Sequence, residues 1–269
     1  MDGHGPPQGD GLRWPIHHLF DLDGVLTDSA EAHARAWTKM FDDVLRSGIA
    51  AALGIADVRP FDPVDDYLRY VDGRPRRDGV TSFLAARGVP ASRLGPDSEP
   101  VDAMAARKDE LFRAEVAGGS VHVYDDAPPY LEWLASEGAG RAVVSSSRNA
   151  RLVLSATGLG RWIDVVVDGA VVEDEGLAGK PAPDAFLRAA GELASDPSDC
   201  AVLEDAAVGV EAGRRGEVGI VIGVDRVGRP DRLRDAGADA VVTSLGELRP
   251  EWWGARVTGG VSPRPGGSA

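Results

Sequence analysis

A short segment decides the fold: FDLDGVLTDS at residues 20–29, at the end of an apolar run that covers residues 16–22. Two carboxylates, Asp21 and Asp23, leave a predicted strand together, and Gly24 then turns the chain. In open parallel sheets, ligands bind at the carboxyl ends of the strands. A carboxylate placed there can attack phosphorus or bind a metal, and a second one nearby can carry a proton. By itself the pattern is equally consistent with a turn, because Asp and Gly favour turns.

Further apolar runs recur along the chain and alternate with helical patterns. Strands are predicted at residues 16–22, 140–144, 163–167, 200–203, 219–224 and 240–242, and helices at residues 148–157, 183–193, 207–215 and 231–235. Strands that alternate with helices predict a parallel sheet covered on both faces. Many of the runs are apolar throughout, as expected for strands buried on both sides. The predicted fold class is therefore α/β, with a doubly wound, Rossmann-like parallel sheet.

The segment between the first strand and residue 118 breaks this rhythm. Helical patterns occur there at residues 31–46, 63–70, 77–87 and 101–116, with no convincing strand between them. We therefore predict a helical cap, residues 31–117, inserted into an α/β catalytic core of residues 15–30 and 118–250. The polar, Gly- and Pro-rich ends, residues 1–14 and 256–269, are predicted to be disordered tails.

Composition excludes several classes of function. A formal net charge of -14 argues against binding nucleic acid, because the surface would repel the phosphate backbone. No apolar run approaches the length of a membrane span, and the N-terminal residues lack the apolar segment of a secretory signal. The single cysteine, Cys200, has no partner for an internal disulfide. We expect a cytoplasmic monomer that binds neither nucleic acid nor membrane.

Three later segments follow predicted strands and carry groups suited to phosphate or metal chemistry. SSSRN at residues 145–149 opens a helix, where hydroxyls and backbone N–H groups suit a phosphate, although an ordinary serine cap fits equally. Lys180 is one of only three lysines among 29 basic residues, and in such an Arg-rich chain a retained lysine indicates a compact point charge. Glu204 and Asp205 end another strand, where they either bind a cation or decorate a helix N-terminus.

Together, these four ordered motifs resemble those of the haloacid dehalogenase superfamily, over nearly the whole chain between the tails. Within it, residues 21–37 are similar to the opening segment of the β-phosphoglucomutase family, including His33 and Trp37 one helical turn apart. In the cap, residues 71–79 resemble the segment whose arginine grips the distal phosphate, and residues 107–109 resemble the substrate-binding lysine segment. Extra residues at about 49–63 depart from the family pattern.

The resemblance implies roles for the core motifs. Asp21 is expected to attack the phosphoryl group and become an aspartyl phosphate, while Asp23 acts as general acid and base. Ser145 and Lys180 are expected to bind the transferring phosphoryl group.

A magnesium ion is also implied, held by Asp21, Asp205 and the backbone carbonyl of Asp23, with Glu204 binding it directly or supporting a direct ligand. Such an all-oxygen set suits a hard cation.

The implied substrate is a sugar phosphate: β-glucose 1-phosphate is converted into glucose 6-phosphate, with glucose 1,6-bisphosphate as the activating intermediate. A mutase must hold a second phosphate while the first reacts. The residues implied in substrate binding are His33, Trp37, Gly73, Arg76, Lys108, Ser146, Ser147, Arg148 and Asn149. For Arg76 and Arg148 a surface position is the alternative, and Trp37 equally suits the apolar core of the cap. We expect His33 either to position Asp23 or to contact substrate.

Two other functions remain open at this point. A sugar-phosphate phosphatase would keep the fold and let water attack the aspartyl phosphate. A non-catalytic module that binds sugar phosphates is disfavoured, because every catalytic position is filled. A dehalogenase is disfavoured as well, since its chemistry does not call for Asp23 or an acidic metal site.

Overall fold

Six parallel strands form the central sheet of the protein, which is described here by a computed structural model covering residues 16–71, 74–248 and 252–253. The eight strands are β1 (His17–Phe20), β2 (Thr27–Asp28), β3 (His122–Val123), β4 (Arg141–Val144), β5 (Val165–Val167), β6 (Cys200–Glu204), β7 (Ile220–Val224) and β8 (Ala240–Val242). The six-stranded sheet has the order β5-β4-β1-β6-β7-β8, and all of its pairings are parallel. The predicted tails and Gly73 lie outside the described residues.

Helices cover both faces of this sheet. Within the described ranges the α-helices, of which the first four lie in the cap, are α1 (Ala30–Leu45), α2 (Gly48–Leu53), α3 (Arg76–Ala86), α4 (Glu99–Ala117), α5 (Ala127–Ser136), α6 (Ala150–Thr157), α7 (Gly169–Asp174), α8 (Asp184–Glu192), α9 (Ala207–Arg215) and α10 (Pro230–Asp235). Successive strand residues face opposite sides. Leu19 accordingly packs in one apolar cluster, with Phe186, and Phe20 packs in another, with Leu131. The α/β prediction is confirmed, whereas α2, α5 and α7 were not predicted.

Helices α1–α4 follow β2 in the chain and precede β3, and they pack around a third apolar cluster of their own. Its centre is aromatic: the ring centroids of Phe41 and Phe83 are 4.0 Å apart, and those of Phe41 and Phe61 are 5.1 Å apart. We keep the name cap for residues 31–117. No helix in the described ranges is both long and apolar enough to cross a membrane.

The extra residues of the cap are anchored by a buried arginine. The Arg87 side chain, only 2% exposed, donates to the carbonyls of Asp57 and Arg59 at 3.0 and 2.9 Å, and to Asp66 Oδ2 at 2.9 Å. The helix predicted at residues 63–70 includes a π-helical turn, Tyr67–Val71. The residues that depart from the family pattern therefore form most of helix α2 and a loop held against the cap by Arg87.

The two connections between cap and core run side by side. Strands β2 and β3 pair antiparallel, with Thr27 opposite Val123 and Asp28 opposite His122. The chain enters the cap directly after β2 and leaves it just before β3. This two-stranded ribbon lies close to Asp23, since Gly24 N donates to Thr27 O at 2.7 Å.

Candidate active site

The polar groups predicted from the sequence follow three neighbouring strands of the sheet. Asp21 follows β1, Ser145 follows β4, and Glu204 is the last residue of β6. Since β4, β1 and β6 are adjacent and parallel, their carboxyl ends meet at one edge. The backbone of Asp21 is held against β6, because Asp21 N donates to Leu203 O at 2.9 Å.

Lys180 links these three strand ends. Its ammonium donates to Asp21 Oδ1 at 2.6 Å, to Glu204 Oε1 at 2.5 Å and to the Val144 carbonyl at 3.0 Å. Only 6% of the Lys180 side chain is exposed. Burial alone would lower the pKa of Lys180, but the two carboxylates outweigh burial and raise it. Lys180 is therefore a permanent cation beside the proposed nucleophile.

Two glycines make room for the carboxylates. Gly24 has a φ of +86°, and a Cβ there would collide with the Asp205 carboxylate. A Cβ at Gly209, in the first turn of α9, would collide with Glu204. Positions 24 and 209 therefore require glycine, because the carboxylates of Asp205 and Glu204 occupy the space that a Cβ would fill.

The acidic groups outnumber the cations next to them. Burial, then the charges of Glu204 and Asp21, raise the pKa of Asp205 well above its usual range. Burial also raises the pKa of Glu204, and Lys180 opposes the rise. Within the described part of the chain, the Asp205 carboxylate accepts no hydrogen bond. A hard cation would balance this charge, so the donor chemistry fits the predicted Mg²⁺.

No group of three or more His, Cys, Asp or Glu side chains in the described ranges is arranged to hold a metal by itself. The predicted set differs from such a group, because it combines two carboxylates with a backbone carbonyl.

Asp23 has an environment distinct from that of Asp21. Burial, followed by the charge of Asp21, raises the pKa of Asp23 to about 6. Ser29 Oγ donates to Asp23 Oδ1 at 2.5 Å, and Thr27 Oγ1 lies 3.5 Å from the same oxygen. A carboxyl group with such a pKa can release and regain a proton near neutral pH, which suits a general acid and base.

Two cap residues approach Asp23 from above the sheet edge. Lys108 Nζ lies 2.7 Å from His33 Nδ1, and His33 Nε2 lies 3.9 Å from Asp23 Oδ2. Burial, then Lys108, lowers the pKa of His33 well below its usual range. When Lys108 is charged it can only donate, so it donates to Nδ1, and the proton of neutral His33 then lies on Nε2, facing Asp23.

Lys108 itself is buried, and burial, then the charge of Arg76, lowers its pKa to about 7. Its ammonium lies over the ring of Trp37, 5.1 Å from the centroid, and over that of Phe112 at 4.8 Å. Trp37 is also buried and stacks on Phe41, with centroids 5.3 Å apart. The structure therefore places Trp37 in the apolar cluster of the cap, where it supports Lys108.

The residues predicted to bind the distal phosphate divide into two groups. Arg76 Nη2 lies 2.7 Å from Asp109 Oδ1, and Asn149 Nδ2 donates to the same oxygen at 2.6 Å. Ser147 lies next to them, since its hydroxyl accepts from Asn149 N at 3.2 Å. The other two predicted residues are peripheral: Arg148 is half-exposed and pairs with Glu173, and Ser146 is exposed.

Sequence reasoning did not predict three contacts that the structure shows in the site: that of Ser29 with Asp23, that of Gly24 with Asp205, and that of Asp109 with Arg76 and Asn149. Ser29 and Gly24 could have been found, because both belong to the segment that opens the fold. For Asp109, its position next to Lys108 was the one feature of the sequence that indicated a place in the site.

Known proteins similar to this chain include β-phosphoglucomutases. A β-phosphoglucomutase from Mycobacterium bovis is 47% identical over 237 residues, which are 86% of this chain and 90% of that protein. A β-phosphoglucomutase from Bacillus subtilis is 30% identical over 236 residues, covering 86% of this chain and 90% of its own length.

Structural and family comparisons point the same way. The crystal structure of β-phosphoglucomutase from Clostridium difficile shares the fold, with a TM-score of 0.72 and 24% identity over 90% of this chain and 96% of that one. The family model of haloacid dehalogenase-like hydrolases matches residues 18–216. The chain therefore belongs to the haloacid dehalogenase-like hydrolases and, within them, to the β-phosphoglucomutase-like family.

Proposed function

We propose that this protein is a magnesium-dependent phosphomutase that interconverts β-glucose 1-phosphate and glucose 6-phosphate through an aspartyl phosphate. Family membership supports the coarser statement, an enzyme that transfers or hydrolyses phosphoryl groups. The finer statement rests on the geometry of the site and on the β-phosphoglucomutases among the relatives.

The observation that carries the proposal is the presence of cations on both the core side and the cap side of Asp23. Lys180, in the core, and Lys108, in the cap, are both close enough to lower the pKa of Asp23 against the effect of burial. Arg76 and Asn149 add a second cationic and polar site next to Lys108. A phosphatase needs one phosphate site, whereas a mutase needs two, because its bisphosphate intermediate carries a phosphate at each end.

The first transfer uses the core. The Asp21 carboxylate attacks phosphorus and forms an acyl phosphate, while the bond from phosphorus to the sugar oxygen breaks. Asp23 gives its proton to that leaving oxygen. Lys180 and Ser145 stabilise the charge on the phosphoryl oxygens, which supplies most of the catalysis in this type of reaction.

The first transfer takes its phosphoryl group from glucose 1,6-bisphosphate. The second transfer runs in the opposite direction, to the 6-hydroxyl of β-glucose 1-phosphate, and so forms the bisphosphate again. Asp23, now a carboxylate, accepts the proton of the incoming hydroxyl, and that oxygen takes the phosphoryl group from Asp21. The neutral His33, with its Nε2 proton toward Asp23, orients that carboxylate during the exchange. Arg76, Asn149 and Ser147 would hold the phosphate that does not react.

A cation completes this proposal. Asp21, Asp205 and the Asp23 carbonyl would hold Mg²⁺, with Glu204 supporting the ligands. When bound, Mg²⁺ would offset the repulsion between the carboxylates and a phosphate. We further propose that the enzyme acts as a cytoplasmic monomer on free sugar phosphates.

The test is to incubate the protein with β-glucose 1-phosphate, Mg²⁺ and a trace of glucose 1,6-bisphosphate, and to measure both possible products. Formation of glucose 6-phosphate supports the mutase. Release of free phosphate alone would identify a sugar-phosphate phosphatase, and binding without either product would identify a non-catalytic module. EDTA should stop the reaction, and added Mg²⁺ should restore it.

A further inference from the structure

A carboxylate from the cap lies between the two groups assigned to the distal phosphate. Asp109 is in α4, one residue after Lys108, and its side chain is 24% exposed. Its Oδ1 atom pairs with Arg76 Nη2 at 2.7 Å and accepts from Asn149 Nδ2 at 2.6 Å. Since Asn149 belongs to the core and immediately precedes α6, this one oxygen joins the cap to the core.

The contacts of this oxygen are those that a phosphate oxygen would make. Guanidinium and amide N–H groups bind anionic oxygens through charge-assisted hydrogen bonds, and they bind carboxylates and phosphates in the same way. Arg76 and Asn149 cannot offer the same N–H groups to Asp109 and to a substrate at once. The protein therefore fills part of its own phosphate site with a side chain.

Several cations lie near Asp109. Burial is the largest effect on the pKa of Arg76 and lowers it; Asp109 opposes this effect, and the charges of Arg148 and Arg113 add to it. Lys108 is a further cation nearby, because Arg76 and Asp109 both influence its pKa. Asp109 brings one negative charge to these cations, and an anion carrying two negative charges would interact with them more strongly.

We propose that Asp109 is an internal competitor for the distal phosphate: it holds Arg76 and Asn149 in the substrate-free protein and gives way only to a phosphate dianion. The proposal rests on the function proposed above, since it concerns the regulation of the same site. An unphosphorylated sugar has no anionic group to displace Asp109. The competition therefore sharpens selection for substrates that carry a phosphate at the distal end, at the expense of affinity for them.

The test is the affinity of the full chain for two probes, glucose 6-phosphate and inorganic phosphate, measured by calorimetry in wild type and in Asp109→Asn. The amide keeps the size of the side chain and removes its charge. We expect Asp109→Asn to lower the dissociation constant of glucose 6-phosphate about tenfold, which corresponds to one charge-assisted contact released for the ligand. Glucose should bind to wild type and to Asp109→Asn with the same affinity.

A matched control lies in the same helix. Asp102 also pairs with an arginine, Arg77, at 2.7 Å, and its side chain is 56% exposed. Asp102→Asn removes the same charge from α4 and should leave both affinities within about twofold. In an Arg76→Ala background, Asp109→Asn should give no gain, because the contested guanidinium is absent.

Two outcomes would overturn the inference. Weaker binding by Asp109→Asn would mean that Asp109 orients Arg76 for the ligand, and unchanged binding would mean that the two never compete. Thermal unfolding of each variant shows whether it is folded. The measurement involves no turnover, so it is distinct from the mutase assay: tighter binding by the variant would stand even if the wild type formed no glucose 6-phosphate.

Discussion

The core and the cap contribute to the candidate site in different ways. The core groups lie at the ends of hydrogen-bonded strands, and Lys180 ties three of those ends together. The cap groups lie on helices around a separate apolar cluster, and they reach the core through side-chain contacts such as that of Asp109 with Asn149. Under the proposed function, phosphoryl transfer therefore depends on the strand ends, while substrate recognition depends on how the cap sits over them.

The largest expected effect tests the core alone. Asp21→Asn should lower turnover by about ten-thousandfold or more, because an amide is not a nucleophile. Steady-state kinetics with β-glucose 1-phosphate provide the measurement. Asp28→Asn, at the end of the same motif, is the control and should lower turnover far less. Activity of Asp21→Asn within about tenfold of wild type would exclude Asp21 as the nucleophile.

Loss of the cation in the core should have the next largest effect. Lys180→Met should lower kcat by about a hundredfold to a thousandfold, the usual cost of removing one donor to a transferring group. It should also lower Tm, because Glu204, only 1% exposed, would lose its cationic partner. Lys39→Met is the matched control, since Lys39 is exposed on α1 and, among the residues that the structure describes, pairs with Asp43 alone. If both lysine variants behaved alike, Lys180 would have no special role.

A smaller effect on turnover is expected from a cap residue, Arg76, together with a change in the ratio of the two products. Arg76→Ala should lower mutase turnover about tenfold to a hundredfold, the value of one charge-assisted phosphate contact. The ratio of phosphate release to isomerisation should rise, because a sugar held less firmly lets water reach the aspartyl phosphate. Arg77→Ala removes the neighbouring arginine, which pairs with Asp102 on the surface, and should change neither quantity. A constant ratio in Arg76→Ala would mean that the cap does not decide between the two outcomes.

The smallest expected effect is a pH dependence specific to the cap. Lys108 has a pKa of about 7, so its charged form is present below that pH and is lost as the pH rises through it. Since a phosphate requires the charged form, kcat/KM should fall about tenfold per pH unit well above pH 7. In Lys108→Arg this alkaline limb should be absent, because arginine stays protonated. A limb that persists unchanged in the arginine variant would assign it to another group.

Local patterns predicted elements of both the cap and the core: the helices predicted at residues 31–46, 77–87 and 101–116 match α1, α3 and α4 to within two residues. The run at residues 140–144 matches β4 to within one residue, since a buried strand is apolar throughout. Helix α5 was missed because Pro128 and Pro129 suggest a loop, yet proline is tolerated in the first turn of a helix.

The contacts that assemble the site are less accessible to sequence reasoning. Asp109 meets Asn149, 40 residues along the chain, and no local pattern specifies that pair. The hydroxyl of Ser29 is visible in the motif, but its 2.5 Å contact with Asp23 depends on how the chain turns after Gly24.

The position of β1 has a consequence for how the chain reaches its native state. This strand lies between β4 and β6, and both follow the entire cap in the sequence. Helices α1 and α4 pack against each other within the cap, whereas β1 must wait for strands that follow the whole cap. During synthesis, an apolar strand with two unpaired edges therefore emerges long before either neighbour exists, which is the state most exposed to aggregation and to capture by chaperones.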